Sequence, residues 1–461
     1  MFSTIFQDKG AWRHEARALV ALSLPLIVGN IGWAVIAATD LLLLGRIGAD
    51  AVAAGALGIN LHTAFMIFGI GLTTAAAPLI ASERGRRLHS VRDIRRTVRQ
   101  TLWAAILLCV PCWIILWHAE AILILLGQEP ELAAAASQLV RGVQWALLPY
   151  LCYLTLRNYV AALERPMWGV IVMVATVPFN ALMGWALIFG HLGLPALGLF
   201  GAGLASTVSS IFMLAGMVIV LFGDRQFRRY HLFGRFWVAD WTRLRAVWAI
   251  GLPIAVTLAL EVSVFNAAVF LMGLLGRAQL AAHSIAIQIA ALCFMVPMGI
   301  AQAATVRVGY AFGRQDHDAA GRAGWLALML GTAFSAFSAL LLLGAPHWLI
   351  SAFIDVEAPA NARVTQLATS FLAIAALFQL VDCAQAIGAG VLRGLQDTRM
   401  PMIFAAIGYW IIGVGAGALL AFRFGIGGIG IWLGLATGLA VVAVMLVWRW
   451  AWRERLGLMA A

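Results

Sequence analysis

Charge is what this chain lacks most. Asp, Glu, Lys and Arg make up 11% of its 461 residues, less than half of the ~25% carried by an ordinary soluble domain. That scarcity excludes a water-soluble globule. Cysteine is also sparse: Cys109, Cys112, Cys152, Cys293 and Cys383 all fall in apolar stretches, and their spacing matches no disulfide framework or thiolate metal site. The nine histidines are scattered, with no helix-spaced HExxH pair. No GxSxG elbow or Walker-type phosphate loop occurs. Hydrolase chemistry and ATP as an energy source therefore find no support, and the chain reads as a non-enzyme. The N-terminus has no short apolar core followed by a small-residue cleavage site, so the first apolar stretch is expected to remain as a span.

What the chain has in abundance is apolar sequence, 63% of its residues. Runs of about 20 residues, enough to cross a ~30 Å hydrocarbon core, recur along its whole length. Twelve are expected, at 18–44, 52–80, 98–117, 136–160, 168–190, 200–222, 247–272, 284–306, 323–345, 365–391, 400–422 and 426–448. The net charge of +11 is distributed by topology. With a cytoplasmic N-terminus and alternating crossings, 25 of the 31 basic residues fall on the inner side and five on the outer, Arg157 lying within the fourth span. That bias follows the positive-inside rule, predicts both termini in the cytoplasm and argues against a nucleic-acid partner.

Sliding the chain against itself by 228 residues superimposes Ala21, Leu24 and Pro25 on Ala249, Leu252 and Pro253, Gly45 and Gly48 on Gly273 and Gly276, and Gly85-Arg86 on Gly313-Arg314. A shift of 235 aligns Pro166-Met167 with Pro401-Met402. The expected organisation is an N-terminal six-helix lobe (1–222), a basic aromatic linker along the cytoplasmic surface (223–246) and a C-terminal six-helix lobe (247–461). An even number of spans per lobe sets the repeat axis along the membrane normal, a plan used by carriers.

Three carboxylates interrupt this apolar background: Asp40, Glu261 and Asp382. An ionised side chain at the centre of a span costs roughly 2.5–3.5 kcal/mol even on the lenient insertion scale, so three of them point to a path for ions, protons or polar substrate. The repeat does not duplicate them, since Asp40 falls on Ala268 and Glu261 on Trp33. Glu261 and Asp382 lie deep in the seventh and tenth spans, too short to reach water as Lys or Arg does. Each is either protonated or beside a bound cation. The competing reading is an interhelical hydrogen-bond partner. Asn30, Asn180, Asn266, Gln288, Gln302 and Ser206 are candidates for further polar ligands, with packing as the alternative for each.

Several long segments resemble the multidrug and toxic compound extrusion (MATE) family, nearest its NorM-type branch. They are LPLIVGNIGWAVIAATDLLLLGRIG at 24–48, APLIASERGRR at 77–87, LPIAVTLALEVSVFNAAVFLMGLLG at 252–276, AAHSIAIQIA at 281–290, VPMGIAQAATVRVGYAFG at 296–313 and FQLVDCAQAIGAGVLRGLQDTRMP at 378–401. The resemblance implies an all-α polytopic membrane protein of twelve transmembrane helices in two pseudo-symmetric lobes forming a V. It also implies a monomeric antiporter of a bacterial inner membrane that exports cationic or amphipathic drugs and toxins in exchange for Na⁺ or H⁺, with no other cofactor. The alternative within the same superfamily is a flippase for lipid-linked saccharide. Glu261, Asp382 and Asp40 match the family's acidic positions, with Na⁺ or H⁺ expected at Glu261 and Asp382. Asn180 and Ser206 match polar positions near the first-span acid, and Gly184 stands where another branch has Asp. Phe294 and Phe378 stand where relatives carry Tyr; losing those phenols removes oxygen ligands and predicts readier coupling to protons.

Overall fold

The structure, a computed structural model, describes residues 9–86, 90–234 and 236–459. Every regular element among them is helical, as a bilayer requires when no water is at hand to satisfy backbone groups. In chain order these are α1 (Lys9–Gly45), α2 (Ala49–Thr74), α3 (Ala76–Arg86), α4 (Ser90–Trp117), α5 (Ala119–Leu125), α6 (Pro130–Val143), α7 (Leu147–Ala162), α8 (Met167–Phe189), α9 (Gly198–Gly223) and α10 (Arg225–Arg228). They continue with α11 (Trp241–Leu275), α12 (Arg277–Gly313), α13 (His317–Gly344), α14 (Pro346–Ser351), α15 (Ala362–Gly394), α16 (Arg399–Ala405), α17 (Gly415–Ala418) and α18 (Gly428–Ala451). Two π-helical runs, Ala406–Val414 and Leu419–Arg423, flank α17. Large apolar side chains point outward, Leu42 at 71% exposure and Phe270 at 70%, a surface suited to lipid.

Eleven of the twelve expected spans are helices long and apolar enough to cross a membrane. The fourth, expected at 136–160, is two shorter helices, α6 and α7, joined by a 3-10 turn at Gln144–Ala146. Pro149 explains the interruption, because it has no N–H to return to the carbonyl one turn earlier. Carbonyls at the break find side-chain donors instead: Trp113 Nε1 donates to Gln144 O at 2.9 Å and Thr207 Oγ1 to Gly142 O at 2.7 Å.

The chain divides into two compact units, Val28–Ala255 and Val256–Ala461 with the segment ending at Ile27. The divisions fall inside α1 and α11, just after Pro25 and Pro253, where each helix lacks one ladder hydrogen bond. The segment 223–255, which includes the expected linker, belongs to the first unit. In that unit α6 and α9 meet backbone to backbone: a Cβ on Gly203 would lie 2.2 Å from Leu139 O, and one on Gly142 2.6 Å from Phe200 O. Gly203→Val should therefore force the pair apart and destabilise the protein by about 1–3 kcal/mol, read as a lower melting temperature in detergent; an unchanged transition would mean the helices slide freely.

Buried ion pairs fasten the arginine-rich end of each unit. In the second unit Arg307 grips Glu15 of α1 with two bonds, Nε to Oε1 at 2.8 Å and Nη2 to Oε2 at 2.6 Å. In the first, Arg243 of α11 donates to the buried carboxylate of Glu83, which also accepts from Thr97 at 2.7 Å. Glu15 and Arg243 occupy equivalent positions at the 228-residue offset. That position repeats with its charge reversed, although the partners differ: Arg307 falls on Leu79 and Glu83 on Ala311.

The linker is strapped to one face of α4. Arg96, Arg99, Gln100 and Trp103, spaced at i, i+3, i+4 and i+7, donate to Asp240 Oδ2 (2.6 Å), Leu232 O (2.7 Å), Val238 O (3.3 Å) and Phe236 O (3.0 Å). Asp240 also accepts from the Arg243 backbone N–H at 3.2 Å, capping α11. Burial works to raise the Asp240 carboxyl, but the Arg96 bond, that N–H and the two guanidinium charges hold it below the usual carboxylate range.

Candidate functional site

The first unit gathers Asp40, Asn180 and Ser206, from α1, α8 and α9. Asn180 Nδ2 donates to Asp40 Oδ1 at 2.7 Å, and Asn180 Oδ1 accepts from Ser209 Oγ at 2.8 Å. Ser206 Oγ donates to Ala202 O at 3.3 Å and lines the same cavity as Asp40. Asn180 is fully buried and Asp40 half-buried. The amide thus spends both ends within the cluster and orients the carboxylate. Beside it opens a cavity of about 330 Å³ whose walls include Trp33, Leu44, Met66, Tyr150 and Met213, with Asp40, Asn60 and His62 as polar groups. Apolar walls around a few fixed polar groups suit a small amphipathic ligand. Ser209 and His62 escaped the sequence reading, although Ser209 lies three residues from Ser206 and shares its face. Gly184 packs against Leu43, whose Cδ1 would lie 2.5 Å from an added Cβ. Asn30 accepts from Arg157 Nη2 at 3.1 Å, so its carbonyl oxygen is committed to the intramembrane guanidinium.

The second unit brings Glu261 and Asp382 into each other's field, from α11 and α15. Asp382 is 4% exposed, and its Oδ1 has no hydrogen-bond partner; Glu261 is half-buried. Arg393 reaches Glu261 electrostatically. It stands eleven residues beyond Asp382, three turns along α15, and so on the same face. The reading from topology counted Arg393 among the inner-side residues; in the structure its charge also reaches Glu261. Tyr409, carried by the first π-run, lies beside Gln385 and within the field of both acids. Gln385 Oε1 and Tyr409 Oη are buried without partners. Trp410 Nε1 ties the same run to Ser263 of α11 at 3.2 Å.

Phe378 is buried one turn before Asp382, edge-on to Trp432 at 5.7 Å and to Phe265 at 6.2 Å. It belongs to a wall of packed rings, and the phenol within the field of the acids is that of Tyr409, on another helix. Neither Tyr409 nor Arg393 was singled out in the sequence. Arg393 could have been found from its helical spacing, whereas Tyr409 had no local signal. Phe294 and Gln302 are half-buried on α12, while Gln288 and Asn266 are exposed. The buried atoms left without partners here, Asp382 Oδ1, Gln385 Oε1 and Tyr409 Oη, are all oxygens. That set fits a proton or a hard monovalent cation, and no cluster of three His, Cys, Asp or Glu occurs among the described residues.

An all-helical membrane protein with carboxylates held between its spans, one of them at a cavity of ligand size, has the make-up of a carrier. Comparison with known proteins specifies which kind. The MatE family model matches residues 25–186 and again 253–419, the two matches starting at the 228-residue offset of the internal repeat. The chain is 54% identical over 403 residues to the probable multidrug resistance protein NorM of Mesorhizobium japonicum, covering 87% of this chain and 86% of that one. Its identity to the Brucella suis protein of the same name is 51%, with the same coverage. Among solved structures, a eukaryotic MATE transporter superimposes with a TM-score of 0.84 at 20% identity, over 97% of this chain and 99% of that one. A mutant of the Vibrio cholerae MATE transporter VcmN gives 0.88 at 15%, over 98% and 100%. The protein belongs to the MatE family and has its fold.

Proposed function

We propose that this protein is a multidrug efflux antiporter of a bacterial inner membrane, with both termini in the cytoplasm, that exports cationic and amphipathic compounds in exchange for H⁺ or Na⁺. The observation that carries the reading is the buried, unpartnered carboxylate oxygen of Asp382 beside a second carboxylate, Glu261. Such a group is tolerated only when neutralised. Two carboxylates brought into each other's field call for a positive guest at this site. Glu261 and Asp382 accept that guest from outside, the drug-loaded state loses its advantage, and the drug leaves. They then release it to the cytoplasm, and the emptied carrier reloads. A ligand can drive such a cycle only by binding its two states unequally, and a carboxylate pair that is neutral in one state and charged in the other provides that difference. The Asp40 cavity, apolar with one acidic group, suits the drug's hydrophobic body and positive charge.

Ethidium efflux from proteoliposomes, with pH and Na⁺ gradients imposed separately, tests this reading. At least one gradient should drive efflux and collapse of both should end it; accumulation indifferent to both would refute antiport. The proposed ease of proton coupling, argued from Phe378, gives a further expectation for Tyr409. Tyr409→Phe removes a phenol oxygen that lies within the field of the acids and should weaken Na⁺-driven efflux several-fold while sparing the proton-driven mode. Equal loss in both modes would show that the phenol is not an ion ligand.

A further inference from the structure

The strap that follows α9 carries a feature the transport cycle does not use. A crevice of about 290 Å³ opens where α9 ends, walled by Leu221, Phe222, Phe227 and Phe233 and edged by Arg228 and His231. Its shape is held from several sides. Phe222 and Phe233 stack at 5.7 Å, and Arg228 Nε donates to Phe222 O at 2.6 Å. His231 is left-handed at φ 44°, an unfavourable conformation for a bulky residue. Its carbonyl is pinned by the Gly234 N–H at 3.1 Å and by Arg99 Nη2 at 3.3 Å, and that double hold maintains the turn. The terminal guanidinium nitrogens of Arg228 keep no protein partner among the described residues. The nearest acid, Asp224, faces Arg165 at 3.6 Å, so the rim is positive. On the same strap Trp237 is 81% exposed, and Trp241 is also exposed; such indoles sit at headgroup depth.

We propose that this crevice is a binding site for one anionic phospholipid, its phosphate held by Arg228 and His231 and the start of an acyl chain lying on Phe222 and Phe233. Charge complementarity selects an anion, and the apolar floor with its interfacial tryptophans selects a lipid over a free anion. The guanidinium forks onto phosphate oxygens as it does on carboxylates.

The test uses the full-length protein in detergent and native mass spectrometry. The probes are phosphatidylglycerol, phosphatidylcholine with the same chains, and glycerol 3-phosphate as the headgroup alone. The wild type should retain one phosphatidylglycerol in preference to phosphatidylcholine. Arg228→Gln combined with His231→Asn, which keeps polarity and tolerates the left-handed turn, should weaken that retention roughly tenfold or more. Phe233→Ser should weaken it with Arg228 and His231 intact, whereas Arg314→Ala, which removes an exposed charge elsewhere, should leave it unchanged. The site as proposed is overturned if the double variant retains the lipid as the wild type does. It is equally overturned if phosphatidylcholine binds as tightly, or if glycerol 3-phosphate displaces the lipid at equal concentration, since a soluble-anion site would then account for the crevice.

Discussion

Asp382→Asn should yield a folded, membrane-inserted protein that no longer exports drug. The amide keeps the volume of the carboxylate but cannot take up and give back a positive charge. Coupled efflux should fall by roughly 100-fold, the upper range of coupling free energies between two ligands of one protein. Its stability should not fall, because Asp382 Oδ1 makes no hydrogen bond to lose and a neutral amide is cheaper to bury than an unpaired charge. This pairing of outcomes separates the two readings of the acid. A structural tie between helices predicts a lower melting temperature; a coupling group predicts lost transport at unchanged or higher stability. Glu261→Gln should behave alike in transport, leaving Arg393 without its counter-charge. Resistance to ethidium at wild-type level in both variants, at matched expression, would remove these residues from the mechanism.

The second large effect concerns stability. Arg307→Ala should cost about 3–5 kcal/mol, the penalty for leaving one member of a buried ion pair uncompensated. The case for this magnitude is geometric: both guanidinium bonds to Glu15 are short, and the two side chains are only 12% and 7% exposed. An exposed pair, such as Arg141 with Glu120 at 3.9 Å, should contribute almost nothing. Exchanging the charges, Glu15→Arg with Arg307→Glu, should recover much of the loss. In the first unit the equivalent of Glu15, Arg243, is the basic member of its own pair with Glu83, so this position accepts either charge. Thermal unfolding in detergent checks this. A loss below about 1 kcal/mol for Arg307→Ala would place the pair in the class of solvated surface bridges.

The site was legible in proportion to how local its signals are. An acid in an apolar run is visible in one window of sequence, and Asp40, Glu261 and Asp382 were found that way. Asn180 and Ser206 came from family resemblance and lie against Asp40. The polar partners of the deep pair were another matter. Arg393 looked like an ordinary inner-side arginine because it ends a helix, and only its three-turn spacing from Asp382 links them. Tyr409 sits in a π-run among glycines, where the wider turn leaves no periodic trace. Just past that run, α17 meets Gly434 of α18. A Cβ there would lie 2.3 Å from Gly417 Cα, so the two segments meet where neither carries a side chain. The phenol within the field of the acids thus belongs to a residue 31 positions beyond Phe378.

By itself the sequence determined the solvent of this protein, its helical class and its two-fold internal plan. Hydrocarbon forbids unsatisfied backbone, and a 20-residue apolar run announces a helix without reference to anything distant. Tertiary structure alone decided which polar groups face one another: Arg393 and Tyr409 beside the acids, Glu15 on Arg307, the linker's carbonyls on one face of α4. Those pairings join residues tens to hundreds of positions apart, and the free energy that selects them arises only when buried charges and carbonyls must find partners across packed helices.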